Sequence, residues 1–250
     1  MKLIGLDIGG TAVKAGLVDT ATGALIGPRR RVPTPPDGGP DALAAVLATL
    51  AAELSTDAPA GVGFPGPVVH GRIMAATHLA ESWVGRDAPE FFGQVLGRRC
   101  TVLNDADAAG LAEMRFGAGV GETGVVLMLT LGTGIGSALF VDGVLVPNLE
   151  FGHIEIDGAV AEDRAAARQR EIEHLSWEEW GGRLRTYLQR IDALVWPDVI
   201  VIGGEITVEA GRFVPLLDVR PRIVVAQLRN SAGVVGAALA AAAAPSSTSG

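Results

Sequence analysis

Cysteine is nearly missing from the chain: Cys100 is the only one in 250 residues. No intrachain disulfide can form and no cysteine-rich zinc site can be built. Positive charge is also scarce, with 20 Lys and Arg against 28 Asp and Glu, a formal charge of −8. A nucleic-acid binder shows a basic footprint, so that class is disfavoured, as is docking on an anionic membrane. There is no unbroken run of about 20 apolar residues such as a spanning helix needs. The longest apolar stretches, Val125–Phe140 and Ala232–Ala244, are interrupted by glycine or are short and alanine-rich. The first ten residues, MKLIGLDIGG, read as a strand running into glycines and not as a signal peptide. The expectation is a soluble cytoplasmic protein that partners neither nucleic acid nor membrane. An anionic ligand stays open, because backbone amides and a few local cations bind phosphate even in an acidic protein.

What is present is enough apolar material for one large core or two modest ones: 48% of residues are hydrophobic. Strands are expected at Leu3–Asp7, Val13–Val18 and near Ala24–Val32, followed by a Pro/Gly-rich connector from Pro33 to Pro40. Asp41 is expected to cap a helix carrying Leu43, Val46, Leu47, Leu50 and Leu54 at helical spacing. Further strands are expected at Gly61–Phe64, Thr101–Leu103, Val125–Leu131, Ile135–Val141 and Val199–Ile202. Helices are expected from Asp105 to about Phe116, through a polar region over roughly Glu162–Trp196, and over Asn230–Ala243. The Ser/Thr/Gly tail, 245–250, reads as disordered.

One internal similarity organises these pieces. Shifting the chain by 123 residues sets Gly9 on Gly132, Val18 on Val141 and Asp19 on Asp142. Each segment reads strand, glycine-rich turn, strand, aspartate. Glycine turns join hairpins widely, but agreement of turn, strand length and closing Asp at one offset favours duplication. Two α/β lobes with a central cleft are expected.

Both turns carry the parts needed to meet phosphate. In Asp7-Ile8-Gly9-Gly10-Thr11, glycine lets backbone amides approach an anion. Thr11 adds a hydroxyl, Lys14 a cation, and Asp7 a carboxylate able to hold Mg²⁺ through water. Gly132-Thr133-Gly134 is the second such turn. Asn104-Asp105-Ala106-Asp107 lies where a buried strand meets a helix, a common place for functional side chains in α/β folds. A single cap needs only one of its three polar residues. Glu150-Phe151-Gly152-His153-Ile154-Glu155 sets two acids and a histidine beside glycine, a set suited better to sugar hydroxyls than to a metal, since carboxylates accept and histidine donates or accepts.

Together these segments resemble the sugar kinases of the repressor–kinase–open-reading-frame (ROK) family, within the actin-like ATPase superfamily. The likeness is carried by Val62-Gly63-Phe64-Pro65-Gly66-Pro67, Leu103-Asn104-Asp105-Ala106-Asp107-Ala108-Ala109-Gly110 and Leu149-Glu150-Phe151-Gly152-His153. Ser82-Trp83-Val84-Gly85, Leu175–Trp180 and the late run Val225–Gly233 add to it and point to the polyphosphate-using glucokinases of actinobacteria. The resemblance implies an actin-like ATPase (ribonuclease H-like) fold. Residues 1–104 would form a small lobe, with the helix at about 230–243 packing back on it, and 105–229 a larger lobe. Asp105 would be the general base on the sugar's 6-hydroxyl. Gly66, Asn104, Glu150, His153 and Glu162 would hold the sugar. The donor, polyphosphate or ATP, would lie with Mg²⁺ on the two turns, and Gly203-Gly204 would line its far end. A homodimer is what the family implies.

Two departures stand out. The polyphosphate branch continues its Gly-Gly pair with a third glycine and a Ser-Lys pair, whereas this chain reads Gly203-Gly204-Glu205-Ile206-Thr207-Val208. Arg29-Arg30-Arg31 is a candidate compensating cation run. Beside the sugar pocket, Thr77-His78-Leu79-Ala80 replaces Ala-Asn-Ile-Asp, which opens the choice of hexose to an amino sugar. A sugar-binding pseudokinase is the competing reading. The family's repressors carry a DNA-binding module before the first hairpin; with the first strand at Leu3, an enzyme is expected.

Overall fold

The computed structural model describes residues 1–54 and 56–244, so the tail expected at 245–250 lies outside the described residues. The chain divides into two compact units: Met1–Ala112 together with the segment from Ser231, and Glu113–Asn230.

In the first unit, β1 (Lys2–Ile8), β2 (Ala12–Asp19) and β3 (Ala24–Pro33) form an antiparallel meander. After α1 (Pro40–Glu53), β4 (Ala60–Phe64) pairs parallel with β1. A small ribbon, β5 (Val68–Val69) and β6 (Arg72–Ile73), and α2 (Ala88–Leu96) lead to β7 (Cys100–Asn104), parallel to β4. The sheet order is β3-β2-β1-β4-β7. α3 (Asp105–Phe116) follows β7 directly. Ile4, Leu6, Leu43, Leu47, Phe64, Trp83 and Phe92 lie in the core of this unit. The last helix, α8 (Ala232–Ala243), lies on β1 and β4. It is built of Ala, Gly, Val and Leu. Any side chain at Gly5 or Gly61 would collide with the α8 backbone at Val234 or Ala237, so small residues permit this close approach.

In the second unit, β8 (Val125–Leu131), β9 (Ile135–Val141) and β10 (Val144–Val146) form another antiparallel meander. A two-stranded ribbon, β11 (Glu155–Ile156) and β12 (Ala159–Val160), precedes α4 (Glu162–Ala165), α5 (Ala167–Ile172) and α6 (Trp177–Val195). β13 (Val199–Gly203) pairs parallel with β8; α7 (Ala210–Phe213) leads to β14 (Arg222–Val225), parallel to β13. The order is β10-β9-β8-β13-β14, the first unit's topology repeated.

The duplication therefore holds at the level of topology, with one adjustment of register. Ile8 pairs with Val13 across a four-residue turn, whereas Leu131 pairs with Ile135 across a three-residue turn. The offset of 123 holds for the first strands. On the second strands the counterpart of Val18 is Phe140, one position earlier than the offset gives, because the second turn is shorter: Leu3 pairs with Val18 and Val126 with Phe140.

Three local expectations change. Gly39, not Asp41, is the N-cap of α1; Pro40 takes the first helical position, where its fixed φ suits the helix and its missing N–H is not needed. The polar helical region is three helices: Ala166 turns extended after α4, and Ser176 opens α6 with a capping box to Glu179. The final helix begins at Ala232, after a 3-10 turn at Arg229–Ser231.

Candidate functional site

Parallel pairing lines up the C-terminal ends of three strands in the first unit. Asp7 is level with Gly63, and Phe64 with Asn104. The Gly9–Thr11 turn, the Pro65-Gly66-Pro67 loop and Asn104-Asp105 therefore emerge on one edge of one sheet, where α/β folds place ligands.

The first turn is fastened by backbone and by Thr34. The Gly9 N–H donates to the Ala12 carbonyl at 3.1 Å. Thr34 Oγ1 donates to the Gly9 carbonyl at 2.5 Å, and the Thr34 N–H to the Thr11 carbonyl at 3.1 Å. Asp7 and Lys14 are directly opposite in register, and Lys14 Nζ donates to Asp7 Oδ2 at 2.9 Å. The two charges that the sequence offers separately, one to Mg²⁺ and one to phosphate, form an ion pair. Asp7 is 8% exposed and lies against Gly233 in the first turn of α8, where helix dipole and carboxylate attract.

At the β7–α3 junction Asn104 is the cap: its Oδ1 accepts from the Ala106 N–H at 2.8 Å and the Asp107 N–H at 3.0 Å. Asp105 Oδ1 accepts from the Ala106 N–H at 2.8 Å. The one cap that this helix start needs is thus supplied by Asn104. Gly66 has φ +150°, and a side chain there would run into the Ala75 carbonyl, so glycine is required on structural grounds alone.

In the second unit, Glu162 ties the remaining pieces together. Its Oε2 accepts from the Ile135 N–H at 3.0 Å, just after the Gly132-Thr133-Gly134 turn, and its Oε1 lies 3.4 Å from His153 Nε2. The turn itself is closed by the Gly132 N–H donating to the Gly134 carbonyl at 3.0 Å, and the Gly132 carbonyl accepts from the Arg168 N–H at 3.0 Å. Gly152 backs onto the Ile135 carbonyl so closely that a side chain would not fit. Gly203 is level with Thr130, and Gly204, at φ +97°, lies against the Leu131 carbonyl. The second turn, Gly203-Gly204, His153 and Glu162 are brought together.

Glu150 is held by a residue that the sequence reading missed. Ser137 is 1% exposed; its Oγ donates to the Leu149 carbonyl at 2.6 Å and accepts from the Phe151 N–H at 2.9 Å. It grips the chain on both sides of Glu150. Burial pushes the Glu150 carboxyl above the usual glutamate range; His153 opposes this shift and Glu162 adds to it. An inward-facing serine in the otherwise apolar β9 is the signal that could have found Ser137. Trp180 has a similar supporting role: its indole N–H donates to the Ala165 and Ala166 carbonyls, both at 3.1 Å, and so fixes the end of the short helix that Glu162 begins. Glu205 is exposed at the start of a 3-10 turn closed by Thr207 on the Gly204 carbonyl.

The family model described as ROK family matches residues 3–166. The chain belongs to the ROK family. It is 44% identical to the polyphosphate glucokinase of Mycobacterium tuberculosis (strain CDC 1551 / Oshkosh) over 240 residues, 96% of this chain and 91% of that one. Among solved structures, this ROK protein is similar to the inorganic polyphosphate/ATP-glucomannokinase of Arthrobacter sp. strain KM. The TM-score is 0.94 at 48% identity, over 96% of this chain and 98% of that one. It is also similar to a ROK family glucokinase from Streptomyces griseus in complex with glucose and AMPPNP, at TM-score 0.83 and 25% identity, over 98% and 100% of the two chains. The ROK protein has the actin-like ATPase fold of these sugar kinases. Among the described residues no helix is long and apolar enough to cross a membrane.

Proposed function

We propose that this ROK protein is a hexose kinase, moving the terminal phosphoryl group of inorganic polyphosphate or ATP to the 6-hydroxyl of glucose or a related hexose. The observation that carries the reading is likeness along 96% of the chain to a polyphosphate glucokinase and a polyphosphate/ATP-glucomannokinase.

The roles follow from residue chemistry. Asp105 is the general base, taking the proton of the 6-hydroxyl as its oxygen attacks the phosphorus and the bond to the donor's bridging oxygen breaks. Gly66, Asn104, Glu150, His153 and Glu162 hold the sugar's other hydroxyls. The turns at Gly9-Gly10-Thr11 and Gly132-Thr133-Gly134, with Gly203-Gly204, receive the donor's phosphates through backbone amides and hydroxyls. Phosphoryl transfer gains mostly from positioning and charge neutralisation, which such groups supply. Mg²⁺, when bound, supplies further neutralisation of the donor. Asp7 has Oδ2 engaged by Lys14, which fits contact through water better than direct ligation. Among the described residues no cluster of three His, Cys, Asp or Glu forms a closed metal cage. A cytoplasmic homodimer belongs to the same reading, and sizing of the purified protein tests the dimer.

The deciding assay measures phosphate transfer to a panel of hexoses from polyphosphate, ATP and GTP, with and without Mg²⁺. Asp105→Asn is expected to lower kcat by about 10²- to 10⁴-fold while sugar binding persists. Wild-type turnover in that variant would sink the assigned base, and no turnover with any pair of substrates would sink the kinase reading.

A further inference from the structure

His78 lies in the segment Thr77-His78-Leu79-Ala80 singled out in the sequence, and the structure sets it on the first glycine turn. A methyl group on Gly10 would lie 2.8 Å from His78 Cβ and 3.5 and 3.6 Å from its Cγ and Cδ2. The imidazole covers the hollow that glycine leaves.

The surrounding segment is fastened so as to hold it there. The Thr77 N–H donates to the Pro65 carbonyl at 2.8 Å and the Ala80 N–H to the Gly38 carbonyl at 3.4 Å. Trp83, buried among Phe64, Phe91 and Phe92, donates its indole N–H to the same Gly38 carbonyl at 2.8 Å. Between these anchors His78 takes φ +60°, a left-handed conformation that is uncommon outside glycine and is sustained only when the surroundings impose it. Its side chain is exposed, and among the described residues no hydrogen bond or ion pair engages the ring.

Asp7 and Lys14 neutralise each other beside the turn, so this pair brings no net positive charge to it. An imidazole always offers one N–H and, once protonated, two and a positive charge. A residue that only filled the hollow would need neither a ring nitrogen nor an exposed position.

We propose that His78 is a donor-specificity residue whose imidazole contacts the phosphates of the polyphosphate or nucleotide donor at the Gly9-Gly10-Thr11 turn. This rests on reading that turn as a donor site. The test measures kcat and KM for polyphosphate, ATP and glucose, with inorganic tripolyphosphate binding followed by calorimetry. His78→Gly removes the ring and relieves the backbone, so its melting temperature should not fall. His78→Leu fills the hollow without a donor, and His78→Gln restores an N–H. The Gly and Leu variants should raise the donor KM and weaken tripolyphosphate about tenfold, leaving the glucose KM within about twofold; Gln should recover most of the loss. Unchanged donor KM and tripolyphosphate binding in the Leu variant, or a shift in the glucose KM alone, would overturn the assignment. Tripolyphosphate binding is read without turnover, so failure of the kinase reading and failure of this one are distinguishable.

Discussion

Gly233 lies so close to Asp7 that a methyl group on its Cα would sit 2.6 Å from the carboxylate carbon and 2.7 Å from Oδ2, the oxygen that also accepts Lys14. The first turn of α8 thus closes over the acid of the first glycine hairpin. Gly233→Ala is expected to destabilise the protein by about 1–3 kcal/mol through overpacking and to raise the donor KM. Combined with Asp7→Ala the added methyl should be tolerated better, giving a coupling of about 0.5–3 kcal/mol in denaturant titrations. Strict additivity would mean that the two residues do not meet.

Ser137→Ala leaves the Leu149 carbonyl and the Phe151 N–H without their shared partner. The expected loss is about 1–3 kcal/mol, with a rise in sugar KM larger than any rise in donor KM, because Glu150 lies between the two anchored residues. Steady-state kinetics over both substrates check this. Equal shifts in both constants would contradict a role confined to the sugar side.

Glu150 gives a pH dependence whose sign is fixed. Its folded pKa is raised by burial, so just above the ordinary glutamate range the folded chain binds more protons than the unfolded chain. Stability from this group is present at low pH and lost as pH rises through the folded value. Glu150→Gln should therefore melt higher than wild type at neutral pH, with the gap closing on acidification from about pH 7 to about pH 4. A gap that widened on acidification would mean that the carboxylate is stabilised in place. Sugar affinity should move oppositely, strengthening as Glu150 ionises.

Glu113 is 1% exposed and accepts three backbone amides: Ala118 at 2.8 Å, Gln227 at 3.0 Å and Leu228 at 2.7 Å. It is the post on which the late run Val225–Asn230 is hung. Glu113→Ala should lower stability by about 3 kcal/mol or more, since three donors lose a charged partner together. Glu113→Gln should lose less. Chemical denaturation distinguishes them, and an Ala variant as stable as wild type would show that this carboxylate anchors nothing.

Much of the frame was legible in the chain because it is local. Alternation and glycine turns mark both hairpins, and α3 runs from Asp105 to Phe116 as its pattern implies. The repeat at 123 residues pointed to two similar halves, which the matching strand orders bear out. The one-residue shorter second turn was hidden, since aligning Asp19 with Asp142 takes no account of which residues pair across the strands. Asp41 misled for a related reason: an acid near a helix start reads as a cap, but Pro40 had already taken the first helical position.

By itself the sequence determined the elements, their duplication, the glycine turns and the kinds of side chain available at each. Those follow from short-range sterics and hydrophobic periodicity, which a linear chain displays. Only the tertiary structure decided that Lys14 is tied to Asp7, that Gly233 covers Asp7, that His78 stands over Gly10, that Ser137 grips the chain on both sides of Glu150, and that Glu162 meets His153. Each of these is set by the approach of backbones from distant segments, where one missing Cβ or one strand register selects the neighbour.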